Sequence, residues 1–162
     1  MMTTTDRAAK LSVEDRLDIQ ELFARYAWAL NTGDADGVVE CFAEDGCLEH
    51  LPEGRFVGAD RIRELLGILW YTRPGWFVGR QHLANHFVMT RLGDDRAHVK
   101  AYFSILQHSV DFRTNFVFGL GAWNNVCVRH GGDWLFESVT VEKWLGDGVP
   151  WVGDPRARSA GR

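Results

Sequence analysis

Apolar residues in the first part of the chain recur at helical spacing. Ile19, Leu22, Phe23, Tyr26, Ala27 and Leu30 fall on one stripe, which predicts an amphipathic helix. Ser12-Val13-Glu14-Asp15 opens it like a capping box, with Asp in the place of Glu, and Asn31-Thr32-Gly33 closes it, glycine being a common C-terminal stop. Asp34 caps a short second helix carrying Val38, Val39 and Phe42. Glu44-Asp45-Gly46 reads as a turn, Cys47 to Leu51 as a strand, Pro52-Glu53-Gly54 as another turn and Arg55 to Val57 as the returning strand. Gly58-Ala59-Asp60 opens a third helix with Ile62, Leu65, Leu66 and Leu69 inside. Residues 71–80 (YTRPGWFVGR) form a long aromatic loop, either a rim or lid beside a pocket or a packed connector.

From Gln81 the period changes to two. Gln81 to Leu92, Arg96 to Ser109, Asn115 to Arg129 and Trp134 to Leu145 read as four long strands. Gly93-Asp94-Asp95 and His130-Gly131-Gly132-Asp133 supply turns between them. Helices first and strands afterwards make an α+β protein. A curved antiparallel sheet, closed by the N-terminal helices, would form a cone with a cavity. Residues 1–11 read as a flexible N-terminus, 12–146 as one domain and 147–162, rich in Pro, Gly and Arg, as a flexible tail.

Composition narrows the function. The 162 residues suit one domain, and a net charge of −4 gives no strong field for nucleic acid or an acidic membrane surface. No apolar run approaches a membrane span, so neither nucleic acid nor membrane is an expected partner. Three cysteines without a CxxC pair fit a reducing cytoplasm better than a disulfide framework or zinc finger. Ten Phe, seven Trp and three Tyr are the unusual feature, pointing to a large core, an aromatic cavity or an interface.

The order of several short segments carries a resemblance. These are Arg25-Tyr26-Ala27 with Asn31 and Gly33-Asp34, Val39 to Gly46, Gly54 to Ile62, His82, and Gly132-Asp133-Trp134. Together, over residues 12 to 145, they resemble the SnoaL-like members of the nuclear transport factor 2 superfamily. That superfamily holds dehydratases, isomerases, a dehydrochlorinase, polyketide cyclases and binding domains, so fold alone does not give the reaction. The resemblance implies a hydrophobic small-molecule substrate, no metal or organic cofactor, and a homodimer or homotrimer.

The resemblance also places His82 where the dehydratases carry their catalytic histidine. An imidazole can take a proton from carbon and return it to a leaving oxygen near neutral pH. Asn31 matches the position of the aspartate that orients that histidine. Its carbonyl oxygen still accepts a hydrogen bond but brings no negative charge, so His82 should be less basic. Tyr26 matches a pocket tyrosine that could donate to a substrate oxygen, and it also fits the apolar stripe. His108 stands roughly where a second catalytic histidine occurs in scytalone dehydratase. Strand parity puts it with Tyr102, Ser104 and Leu106, opposite Phe103 and Ile105, unless a bulge intervenes.

Alternation puts Gly119, Gly121, Trp123 and Asn125 on one strand face. There the glycines leave room for a ligand, Trp123 is a flat wall and Asn125 a hydrogen-bonding group. The same pattern also fits a glycine-kinked sheet with a core tryptophan. Trp28, Leu48, Phe103 and Trp144 are further wall candidates. His82 and His86 stand ~13 Å apart on a strand and cannot share a metal ion. His50 beside Glu49, and Asp111-Phe112-Arg113, read as surface or loop charges. The expected activity is a cofactor-free lyase or isomerase, dehydration foremost. The rivals are a polyketide-cyclase-like enzyme and a non-enzymatic binding or interaction domain.

Overall fold

A computed structural model describes residues 10–50, 53–72 and 79–144. Helix α1 (Val13–Thr32) starts at Ser12, whose Oγ accepts the Asp15 N–H at 3.0 Å, and stops at Gly33 in the left-handed region (φ 75°). Its buried positions are the apolar stripe together with Ala29. Helix α2 (Ala35–Glu40) is capped by Asp34, which accepts the Gly37 N–H at 2.9 Å. Strands β1 (Phe42–His50) and β2 (Gly54–Val57) follow, then α3 (Ala59–Leu66), which runs into a π-helical turn over Gly67–Tyr71. The four long strands are β3 (Gln81–Gly93), β4 (Arg96–Ser109), β5 (Thr114–His130) and β6 (Asp133–Lys143).

The strands make one sheet in the order β2-β1-β6-β5-β4-β3. Every pairing is antiparallel except β1 with β6, which is parallel. The turn expected at Glu44 to Gly46 lies inside β1. The sheet absorbs it as a register shift between Phe42 and Cys47, so the strand starts earlier than its composition suggests. Only the ends of the 71–80 loop are described. The expected flexible segments 1–11 and 147–162 fall wholly or mostly outside the described residues.

The sheet curves around α1, and aromatic rings fill the space between. Phe23 meets Phe87 and Phe136 edge to face, each at 5.1 Å, while Tyr26 meets Trp123 at 5.6 Å and Phe136 at 5.3 Å. Phe103 stacks on Trp123 at 5.4 Å. Burial of these rings supplies the main force holding helix to sheet. Polar contacts fix the angle: Trp134 Nε1 donates to Asp15 at 3.2 Å, and Arg129 pairs with the same carboxylate. A bulge at His86 (φ 54°) lies between Asn85 and Val88 and lets Phe87 turn inward to Phe23.

Gly121 corrects an expectation. A Cβ there would lie 2.5 Å from the Phe103 ring and 2.1 Å from the Glu142 carbonyl oxygen. The glycine therefore makes room for the Phe103 ring, not for a ligand. Gly119 is different, since its Cβ would meet only Ile105 at 3.8 Å. Gly121→Ala should cost about 1–3 kcal/mol of stability from overpacking, whereas Gly119→Ala should be near neutral. Urea unfolding of the two variants checks this contrast.

Candidate functional site

Asn31 stands on the last turn of α1, and His82 is the second residue of the edge strand β3. The Asn31 Oδ1 accepts the His82 backbone N–H at 2.9 Å and lies 2.7 Å from His82 Nδ1. A backbone N–H can only donate, so the Asn31 atom is the oxygen and Nδ1 must carry the ring proton. The acceptor lone pair of His82 is therefore on Nε2. Burial, then the nearby Arg80 cation and His50, hold the imidazole down to about 3. His82 is neutral at physiological pH. Arg80 is itself buried, donating from Nε to Gln107 Oε1 at 2.7 Å and lying over Phe118.

Two hollows meet at His82. The outer one, about 640 Å³, is a groove between α1 and β3 lined by Gln20, Ala24, Trp28, Asn31, Arg80 and Leu83 among others. Its helical wall is mostly solvent-facing; Trp28 is 71% exposed, off the buried stripe. The inner hollow, about 260 Å³, lies within the curve of the sheet. Its walls are Leu30, Leu48, Leu69, Phe103, Ile105, Phe118, Trp123 and Val141, and its polar groups are Tyr26, His50, Glu53, His82 and Lys143. Few polar groups converging on apolar walls are the signature of a small-molecule site, so the inner cavity is the better candidate although the groove is larger.

The sequence candidates divide accordingly. Tyr26, Leu48, His82, Phe103 and Trp123 line the inner cavity; Asn31 and Trp28 line the groove. Burial drives the Tyr26 phenol far above its ordinary value, and its hydroxyl has no hydrogen-bond partner among the described residues. His108 lines neither hollow. It sits on the face of β4 opposite Phe103 and Ile105 and bonds Asn115 at 2.8 Å. The register shift after Ile105 falls on β5 and leaves the alternation of β4 intact. Asn125 lies two residues beyond Trp123, between Val99 and Val139, fully buried and lining neither hollow. Trp144 packs on Tyr102, on the outer side. His86 is exposed on its bulge, against Asn85.

His50 overturns its assignment to the surface. It is 2% exposed, and its Nδ1 donates to Glu53 Oε2 at 2.7 Å. Glu53 Oε1 in turn lies 3.8 Å from Lys143 Nζ. Burial, with Lys143 adding to it, pushes His50 below its ordinary value, and Glu53 opposes the shift. Burial raises the Glu53 carboxyl, but hydrogen bonds and the charges of His50 and Lys143 win and leave it lowered. Burial also lowers Lys143, against the pull of Glu53. A sequence signal for this cluster did exist. His50 is two residues past the wall residue Leu48, and Lys143 two past Val141, so each shares its neighbour's strand face.

The His82 shift carries a pH dependence. Its folded value lies below the unfolded 6.5, so between the two only the unfolded chain takes up the proton. That contribution to stability is complete above pH 6.5 and is lost as pH falls toward about 3. Asn31→Asp should raise the His82 value by ~1–3 units through the added carboxylate. It should also shrink the acid-sensitive window. NMR titration of His82 and melting against pH measure both; an unmoved His82 resonance would mean that the Asn31 contact does not form.

Solved structures share the fold. A protein of unknown function from Mycobacterium tuberculosis superposes with a TM-score of 0.73 at 21% identity, covering 94% of this chain and 82% of that one. ActVI-ORFA from Streptomyces coelicolor gives 0.73 at 19% identity, covering 81% and 98%. A scytalone dehydratase-like protein from Novosphingobium aromaticivorans gives 0.69 at 17%, covering 82% and 86%. No curated protein sequence matches the chain. No helix among the described residues is long and apolar enough to cross a membrane. The family model of the SnoaL-like domain matches residues 11–140, and with that span of the chain matched, the protein belongs to the SnoaL-like domain family.

Proposed function

We propose that this protein is a cofactor-independent lyase or isomerase, of the dehydratase type, acting on a hydrophobic cyclic oxygenated small molecule. The observation that carries the reading is the presence of His82, fixed in one tautomer by Asn31, and of Tyr26 on the wall of one apolar cavity. An apolar cavity of ~150 Å³ accepts a benzene ring, so about 260 Å³ suits one or two rings. In the dehydration, His82 Nε2 takes the proton from a carbon α to a carbonyl. The C–H electron pair becomes the new double bond, the β C–O bond breaks, and the oxygen leaves as water after the His82 imidazolium returns the proton to it. Tyr26 donates a hydrogen bond to the substrate oxygen. A neutral, weakly basic imidazole restricts the substrate to one whose C–H is already acidified by a carbonyl. The likeness to a scytalone dehydratase-like structure supports a reaction of this general kind.

One observation favours a second reading, that of a binding protein without turnover. Asn31 gives His82 no negative charge, and burial leaves that ring hard to protonate. A panel of cyclic β-hydroxy ketones, followed by the ultraviolet band of the enone product, separates the two. The enzyme reading expects turnover that falls about 10²-fold or more in His82→Gln and less in Tyr26→Phe. Binding without turnover throughout the panel would select the second reading.

A cytoplasmic setting belongs to the same proposal, in keeping with free, buried Cys41, Cys47 and Cys127. So does a homodimer or homotrimer, since the outer sheet face exposes Val88, Tyr102, Val117 and Leu120. Light scattering should return two or three times the mass of one chain, and Leu120→Glu should shift it toward the monomer.

A further inference from the structure

Outside the His82–Asn31 pair, the inner cavity holds a second polar cluster, made of His50, Glu53 and Lys143. Its members come from the opposite margin of the sheet. His82 is on the edge strand β3, whereas His50 is on β1, four strands away in the sheet order, next to β6 with Lys143. Only the curvature of the sheet brings the two histidines onto one cavity. Lys143 pairs with Gly121, in the register row that contains Phe103, so its stem lies along the same wall.

The two clusters differ in charge. Asn31 is an uncharged acceptor, so it offers His82 a hydrogen bond but no counter-charge. Glu53 is a carboxylate on Nδ1 of His50, which supports positive charge on the ring and partly offsets the lowering by burial and Lys143. Lys143, half-buried, brings a cation to the same spot, and Glu53 balances it. Among the described residues, Glu53 from the β1–β2 turn and Lys143 from β6 act on His50 directly, and His82 from β3 and Tyr26 from α1 line the same cavity. Glu49, its chain neighbour, is engaged by the Thr140 hydroxyl at 3.2 Å.

We propose that His50, with Glu53 behind it and Lys143 beside it, is the acid–base residue at the oxygen end of the cavity, and that the ligand is a ring compound bearing an acidic enol or phenol oxygen. The proposal rests on the reading of the inner cavity as the site for a hydrophobic ring molecule. The O–H bond of the ligand breaks and its proton passes to His50 Nε2, since Nδ1 already carries the proton given to Glu53. The electron pair stays on the oxygen, which becomes an anion beside the Lys143 ammonium. In the reverse direction the imidazolium returns the proton to an enolate or to a departing hydroxyl. His82 then serves the carbon end and His50 the oxygen end of one substrate.

The experiment compares 4-nitrophenol with its methyl ether, 4-nitroanisole, at a pH where free nitrophenol is mostly protonated. Tryptophan fluorescence reads binding, and the phenolate absorbance band reads the position of the proton. The wild type should bind the phenol about tenfold or more tighter than the ether and develop the phenolate band, and His50→Gln should remove the band and bring the two affinities within about twofold. Glu53→Gln leaves the buried ring in place and tests the same point if His50→Gln does not fold. It should weaken the band and move the His50 NMR titration to lower pH. His82→Gln should keep the band. A phenolate band that survives His50→Gln, or one lost only in His82→Gln, overturns the proposal. Ether binding with no phenolate band in the wild type overturns the proposal and leaves the cavity reading standing. Failure of both probes to bind overturns the cavity reading and the proposal with it.

Discussion

One oxygen atom ties the helical layer to the open edge of the sheet. Asn31 Oδ1 receives both the backbone and the ring hydrogen of His82. The His82 N–H points away from β4, where an edge strand has no neighbouring strand to receive it, so this contact also satisfies a donor that would otherwise have to find water. It sets the distance between the end of α1 and the start of β3. It places His82 at the junction of groove and cavity, and it fixes which ring nitrogen carries the proton. Aromatic packing of Phe23 and Tyr26 against Trp123 and Phe136 supplies most of the adhesion, but it is non-directional. The register of the site comes from the two hydrogen bonds.

Much of this architecture is legible in the chain itself. The stripe from Ile19 to Leu30 and the period-two strands after Gln81 follow directly from one-sided burial, which is why their positions can be read without any tertiary information. The residues that escape such reading are those whose meaning depends on curvature. His50 and Lys143 look like ordinary polar positions near strand ends. Strand alternation puts each on the inward face, but they meet in one cavity with His82 because β1 and β6 bend toward β3, and no local pattern encodes a bend between non-adjacent strands. Gly121 illustrates the same limit. Its lack of a side chain is visible in the sequence, but the ring that occupies the vacated space belongs to Phe103 on the neighbouring strand.

The polar lining of the cavity is asymmetric. One pole has a neutral amide behind its imidazole, the other a carboxylate with a cation beside it. In a low-dielectric enclosure such a difference is felt strongly, because few water dipoles average it out. An elongated ligand with one apolar and one oxygen-bearing end would meet unlike surroundings at its two ends. The cavity therefore favours one orientation over its reverse, although most of its wall is indiscriminately apolar.

The bulge at His86 divides β3 into two lengths with opposite obligations. Before it, His82 serves the cavity; after it, Phe87 serves the core against Phe23. An uninterrupted strand would lock the two together, because a slip of one residue turns every following side chain over. The extra residue breaks that coupling. The first length can therefore change its chemistry, and the second its packing, without each alteration inverting the other. On a fold this widely shared, this one irregularity offers a route by which new sites arise while the core is inherited unchanged.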